Sequence, residues 1–93
     1  MQYKNEIIKA IKYHYPEARI YLFGSWATGK NKPTSDIDVA IDVGKIIDLR
    51  EFSRMLRTLD NLDVPNKIDL VDLHRADEPF KTYIKNEMIE WKG

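Results

Sequence analysis

Apolar residues change their spacing several times along this chain, and each change marks a structural element. Tyr3, Ile7, Ile8, Ile11 and Tyr15 recur at helical intervals over residues 2–15, and Pro16 stops the pattern. Ala18 to Phe23 is rich in β-formers and closes on Gly24, which predicts a strand. Residues 25–29 suit a short helical turn, and Lys30 to Thr34 reads as a loop. From Asp36 to Val43 the chain alternates strictly, with Ile37, Val39, Ile41 and Val43 on one face and Asp36, Asp38, Ala40 and Asp42 on the other. Asp48, with Glu51 three residues on, opens a second long helix whose stripe is Leu49, Phe52, Leu56 and Leu59. Pro65 and Asn66 turn into a third strand, Lys67 to Leu73. Asp77, Glu78 and Pro79 then begin a final helix carrying Phe80, Tyr83, Ile84, Met88 and Trp91 on one face. This order predicts an α/β fold, a short mixed sheet covered by helices, in one domain spanning residues 1–93.

Composition narrows the function. Fifteen basic residues balance fifteen acidic ones, so the chain lacks the basic excess of a protein that grips long nucleic acid. It contains no cysteine, which excludes disulfides and thiolate metal sites. No apolar run reaches the roughly 20 residues of a membrane span, and the N-terminus lacks a signal-peptide core, so the expected location is the cytoplasm.

The strand pattern also brings chemistry together. Asp36 and Asp38 share one face of a strand, where adjacent like charges repel; a hard divalent cation such as Mg²⁺ removes that repulsion. The bland alternative is a strand that simply begins at a solvent edge. Asp69, between Ile68 and Leu70, points away from the face those two bury and joins the pair if the third strand lies beside the second. Asp72 falls on the opposite face and is the poorer candidate. Gly24-Ser25 supplies a tight turn with backbone amides and a hydroxyl suited to phosphate. His14 and His74 lack a partner motif and read as structural, and Trp26 reads as packing beside the turn.

Gly24 to Lys30 also imitates a phosphate-binding loop of the G-x-x-x-x-G-K type. Asn31 stands where that motif needs Ser or Thr, however, and Pro33 forbids the long helix that must follow.

A Gly-Ser followed about ten residues later by Asp36-Ile37-Asp38 resembles the signature of the DNA polymerase beta superfamily of nucleotidyltransferases. More closely, the chain resembles the minimal nucleotidyltransferase (MNT) domains that pair with HEPN toxins, through its length, its element order and the acidic strand Lys67-Ile68-Asp69-Leu70-Val71. The resemblance implies the small polymerase beta-like fold. It also implies Mg²⁺-dependent transfer of a nucleoside monophosphate, AMP from ATP, to a hydroxyl of a partner protein, as the antitoxin of a HEPN toxin. Asp36, Asp38 and Asp69 would be catalytic and hold two Mg²⁺ ions, while Gly24, Ser25 and Lys30 would bind the nucleotide. Thr28 stands where the family often has arginine, and Lys30 is the candidate substitute. A chain this short supplies little beyond the nucleotide layer, so the acceptor would come from a HEPN-type partner, a second copy, or both. The competing class is a non-catalytic nucleotide-binding module that neutralises its partner by occlusion.

Overall fold

The structure, a computed structural model, describes residues 1–92. From the N-terminus the chain runs α1 (Lys4–His14), β1 (Arg19–Phe23), α2 (Ser25–Thr28), β2 (Ile37–Asp42), α3 (Leu49–Asp60), β3 (Ile68–Asp72), α4 (Glu78–Lys85) and β4 (Ile89–Trp91). The strands form one sheet in the order β3-β2-β1-β4. Strand β2 is parallel to β3 and antiparallel to β1, and β4 is antiparallel to β1. The sheet is therefore mixed, and the predicted fold class holds.

Alternation along the strands creates two cores. Ile20 and Leu22 of β1, Ile37, Val39 and Ile41 of β2, and Ile68 and Leu70 of β3 face one side, where they meet Ile7, Ile8 and Ile11 of α1 and Met55 and Leu59 of α3. The other side carries a smaller core of Phe23, Ala40 and Ile84, with Tyr21, Val71, Leu73, Phe80 and Met88 against it. Helix α4 covers only part of that second face, and Phe80 meets Phe23 edge-on at 5.7 Å between ring centroids. The part left open is where the acidic side chains emerge.

Local capping follows the predicted helix starts. Asp48 Oδ1 accepts from the Arg50 amide at 2.9 Å, and Asp77 Oδ1 accepts from the Phe80 amide at 2.9 Å. His14 Nε2 meets Thr58 Oγ1 at 2.8 Å and ties α1 to α3, a structural role. His74 pairs with Asp42 at 2.7 Å, and the Gly44 amide donates to the same Asp42 oxygen at 2.8 Å. Those two contacts, the amide first, hold the Asp42 carboxyl below its ordinary range.

Three expectations are corrected. The last helix does not run on to Trp91; it ends at Lys85, and Ile89–Trp91 pairs with β1 as a strand. Trp91 is buried in the main core, on the side of the sheet away from Ile84, so the two never shared a helical face. The free edge of β1 offers unpaired backbone groups that a strand satisfies and a helix does not. Leu49 and Tyr83, expected on buried stripes, are 64% and 69% exposed. Met55, at 1% exposure, fills the α3 interior instead. Leu49 is the first residue of its helix and overhangs the core rather than entering it.

Candidate nucleotidyl-transfer site

Strand polarity assembles the site. Parallel β2 and β3 begin at the same end of the sheet, and antiparallel β1 finishes there, so Gly24, Asp36, Asp38 and Asp69 meet at one end. Asp38 stands opposite Asp69 in the β2–β3 register, on strands that lie about 4.8 Å apart. Phe23, the residue before Gly24, stands opposite Asp38 on the other flank. Asp36 is exposed in the approach to β2, two residues before Asp38.

Gly24 is required by two constraints. Its φ of 74° lies in the left-handed region, and a Cβ there would collide with the Asp38 carboxylate. The turn thus brings bare backbone against the Asp38 carboxylate. Its carbonyl accepts the amides of Ala27 (3.0 Å) and Thr28 (3.1 Å), starting the single turn of α2, and Ser25 follows half-buried. The Thr28 hydroxyl folds back onto the Gly24 and Ser25 carbonyls at 3.3 and 3.4 Å, so it caps its own turn and presents no charge. Lys30 is exposed one residue beyond Gly29, and its amide donates to the Ser25 carbonyl at 3.0 Å, so the backbone ties it to the turn.

The loop before Asp36 is pinned from both sides. The Ser35 carbonyl accepts from Trp26 Nε1 at 3.0 Å and from Asn66 Nδ2 at 2.9 Å, and Asn66 also donates to the Pro33 carbonyl at 2.7 Å. Trp26 is therefore a packing and tethering residue. Asn66 was visible in the sequence only as a turn former. Asp72, as expected, serves elsewhere: it is buried, and its carboxylate accepts the amides of Ile47 (2.8 Å) and His74 (3.0 Å).

Two residues enter that sequence reasoning missed. Lys67 Nζ lies 3.4 Å from Asp69 Oδ1 on the exposed surface. Its position two residues before Asp69, at the entry to β3, was a legible signal. Glu87, in the turn after α4, places Oε1 3.3 Å from the Gly24 amide. The helical reading of residues 86–91 concealed it.

Electrostatics show what the site lacks. Burial raises the Asp38 carboxyl above its ordinary range, and the charges of Asp69, Asp36 and Glu87 push it further in the same direction. Among the described residues no group of three or more His, Cys, Asp or Glu side chains is arranged to hold a metal ion. The donors are all carboxylate oxygens in mutual repulsion beside an open face. That set fits Mg²⁺, which takes one or two protein carboxylates and completes its shell with water and phosphate.

Comparison with known proteins gives this geometry a family. Residues 5–90 match the family described as Polymerase beta, Nucleotidyltransferase. The chain belongs to that family. The chain is 31% identical over 74 residues to the probable protein adenylyltransferase MntA of Haemophilus influenzae, a match covering 80% of this chain and 65% of that protein. It thus spans slightly less than two-thirds of that relative. Among solved structures, it aligns with a chain of a toxin-antitoxin crystal structure with AMP-PNP at a TM-score of 0.81 and 28% identity, over 97% of this chain and 73% of that one. The tri-AMPylated Shewanella oneidensis HEPN toxin in complex with MNT antitoxin aligns at a TM-score of 0.65 and 26% identity, over 97% and 70% of the two chains. The chain is similar to MNT antitoxins, as its Gly-Ser and Asp-x-Asp residues led us to expect. No helix among its described residues is long and apolar enough to cross a membrane.

Proposed function

We propose that this nucleotidyltransferase transfers AMP from ATP to a hydroxyl of a partner protein and acts as the antitoxin of a HEPN-type toxin in the cytoplasm. The observation that carries the reading is the meeting of Gly24-Ser25 with Asp36, Asp38 and Asp69 at one end of the sheet. The names of its relatives support adenylyl transfer, and its likeness to an MNT antitoxin solved with an AMPylated HEPN toxin supports the partner.

Gly24 and Ser25 bind the triphosphate through backbone amides and the Ser25 hydroxyl, with Lys30 as a further cationic contact. Asp36, Asp38 and Asp69 would hold the two Mg²⁺ ions. When bound, the ions neutralise charge at the α-phosphate and lower the pKa of the attacking hydroxyl. Asp69 stands on β3, an edge strand, so the acceptor approaches from the open side of the sheet. The acceptor oxygen bonds to the α-phosphorus as the bond to the β-phosphate bridging oxygen breaks, and pyrophosphate leaves with the electron pair. The hydroxyl proton passes to solvent through the carboxylate end of the site. Positioning supplies most of the catalysis, because the protein forms no covalent bond of its own.

A second reading is occlusion of the partner without transfer. Thr28 favours it, since its hydroxyl is spent on the turn and supplies no guanidinium to the nucleotide. The discriminating experiment combines the chain with its cognate HEPN-type toxin, α-labelled ATP and Mg²⁺. Label is expected on the partner with wild type and absent with Asp36→Asn plus Asp38→Asn. Label that survives the double substitution refutes the metal assignment, and neutralisation without label supports occlusion.

A further inference from the structure

Glu87 takes no part in the transfer described above, yet its side chain lies on the same backbone turn. Its Oε1 accepts from the Gly24 amide at 3.3 Å, linking residues 63 positions apart. The side chain is half-buried, and its charge is one of those acting on Asp38.

We propose that Glu87 is an intramolecular competitor for the nucleotide: its carboxylate occupies the Gly24 amide in the nucleotide-free enzyme, and a phosphate oxygen of ATP displaces it. Glu87 thereby sets how tightly ATP is held. This rests on Gly24 being a phosphate contact, as proposed above.

Three physical features support the exchange. One N–H has one proton, so a carboxylate and a phosphate oxygen cannot both take it at full strength, and two anions at one amide repel each other. The contact of 3.3 Å lies beyond the usual range of about 2.7–3.2 Å for N–H···O bonds, so it is readily broken. The backbone at Glu87 is meanwhile anchored: its amide donates to the Ile84 carbonyl at 3.0 Å, the Met88 amide donates to the same carbonyl at 2.9 Å, and Ile89 pairs with Leu22. Displacement is therefore a side-chain rotation, with α4 and β4 left in place. That rotation also withdraws a negative charge from Asp38 as the phosphates arrive.

The test measures AMP-PNP binding with Mg²⁺ by calorimetry for the whole chain as wild type, Glu87→Gln and Glu87→Ala. The Kd of Glu87→Ala is expected to fall by about two- to tenfold, the factor given by removing one competing hydrogen bond of ordinary net strength. Glu87→Gln should fall between it and wild type, because its amide oxygen still accepts from Gly24 without the charge. In ¹⁵N spectra the Gly24 amide should differ between wild type and Glu87→Ala when free, and coincide once AMP-PNP is bound. Unchanged affinity in a folded Glu87→Ala overturns the inference, and so does weaker binding, which would make Glu87 part of the loaded site. If Glu87→Ala fails to fold, an unchanged or raised Kd for Glu87→Gln overturns it instead. Absence of AMP-PNP binding in every form refutes the nucleotide reading itself, and this inference with it.

Discussion

At Asp38 stability opposes the proposed function. Burial and its acidic neighbours raise its folded pKa. The stabilising effect of the protonated form is complete below the unfolded carboxylate pKa of about 3.9, and is lost as pH rises through the raised folded value. At neutral pH without divalent cation, the ionised side chain therefore burdens the fold. Asp38→Asn should melt above wild type at pH 7 in EDTA, by less than the roughly 4–8 °C that about 1 kcal/mol would give a domain this size, because solvent screens the half-buried carboxylate. The advantage should vanish below about pH 4, where wild type is protonated too. A lower Tm for Asp38→Asn at neutral pH would contradict this account. The acid pair was legible because period-two alternation put Asp36 and Asp38 on one face. The reason for Gly24 was only half legible, since its turn was visible and its contact with Asp38 was not.

Among the elements, the C-terminal segment decides the most. Ile84, Met88 and Trp91 have helical spacing, yet the chain turns after Lys85 and sends Trp91 to the opposite layer of the sheet. Spacing alone cannot distinguish one helix from a helix and a strand that serve two cores. The vacancy beside β1 made the difference, and it is a long-range condition: Tyr21 pairs with Glu90. Trp91→Ala should lower stability by about 3–5 kcal/mol in chemical denaturation, the range for emptying a buried aromatic site. Glu90→Ala, at an exposed position of the same strand, should stay within about 0.5 kcal/mol. Equal small effects would show that the strand does not anchor Trp91. The same turn carries Glu87 to Gly24, so misreading one boundary put Trp91 on the wrong element and layer and hid the Glu87 contact.

For the whole molecule, the sheet offers one partly open face, and its balanced charge gives no general attraction for nucleic acid. Helices α1 and α3 cover the other face completely enough to hold its core, leaving chemistry to the end where three strands meet. A site built from separate strands should couple ligand binding to global stability. Mg²⁺ with ATP at about 100 times Kd should add roughly 2.7 kcal/mol to wild type, read as a thermal shift. Asp36→Asn plus Asp38→Asn should show little or none of that shift. An equal shift in both would place binding away from the carboxylates.

Local pattern by itself determined the mixed α/β class, the Gly24-Ser25 turn, the placing of Asp36 and Asp38 at the entry to β2 and the facing of Asp69, because alternation and turn chemistry are properties of neighbouring residues. It also separated Asp69 from Asp72, which the structure uses as a buried anchor for Ile47 and His74. Only the tertiary structure decided that β3 lies parallel to β2 with Asp69 beside Asp38, that β4 closes the edge of β1, and that Asn66 and Trp26 hold the loop into Asp36. Those are pairings between distant segments, set by which strand edges remain unsatisfied and which faces remain uncovered once the chain has folded.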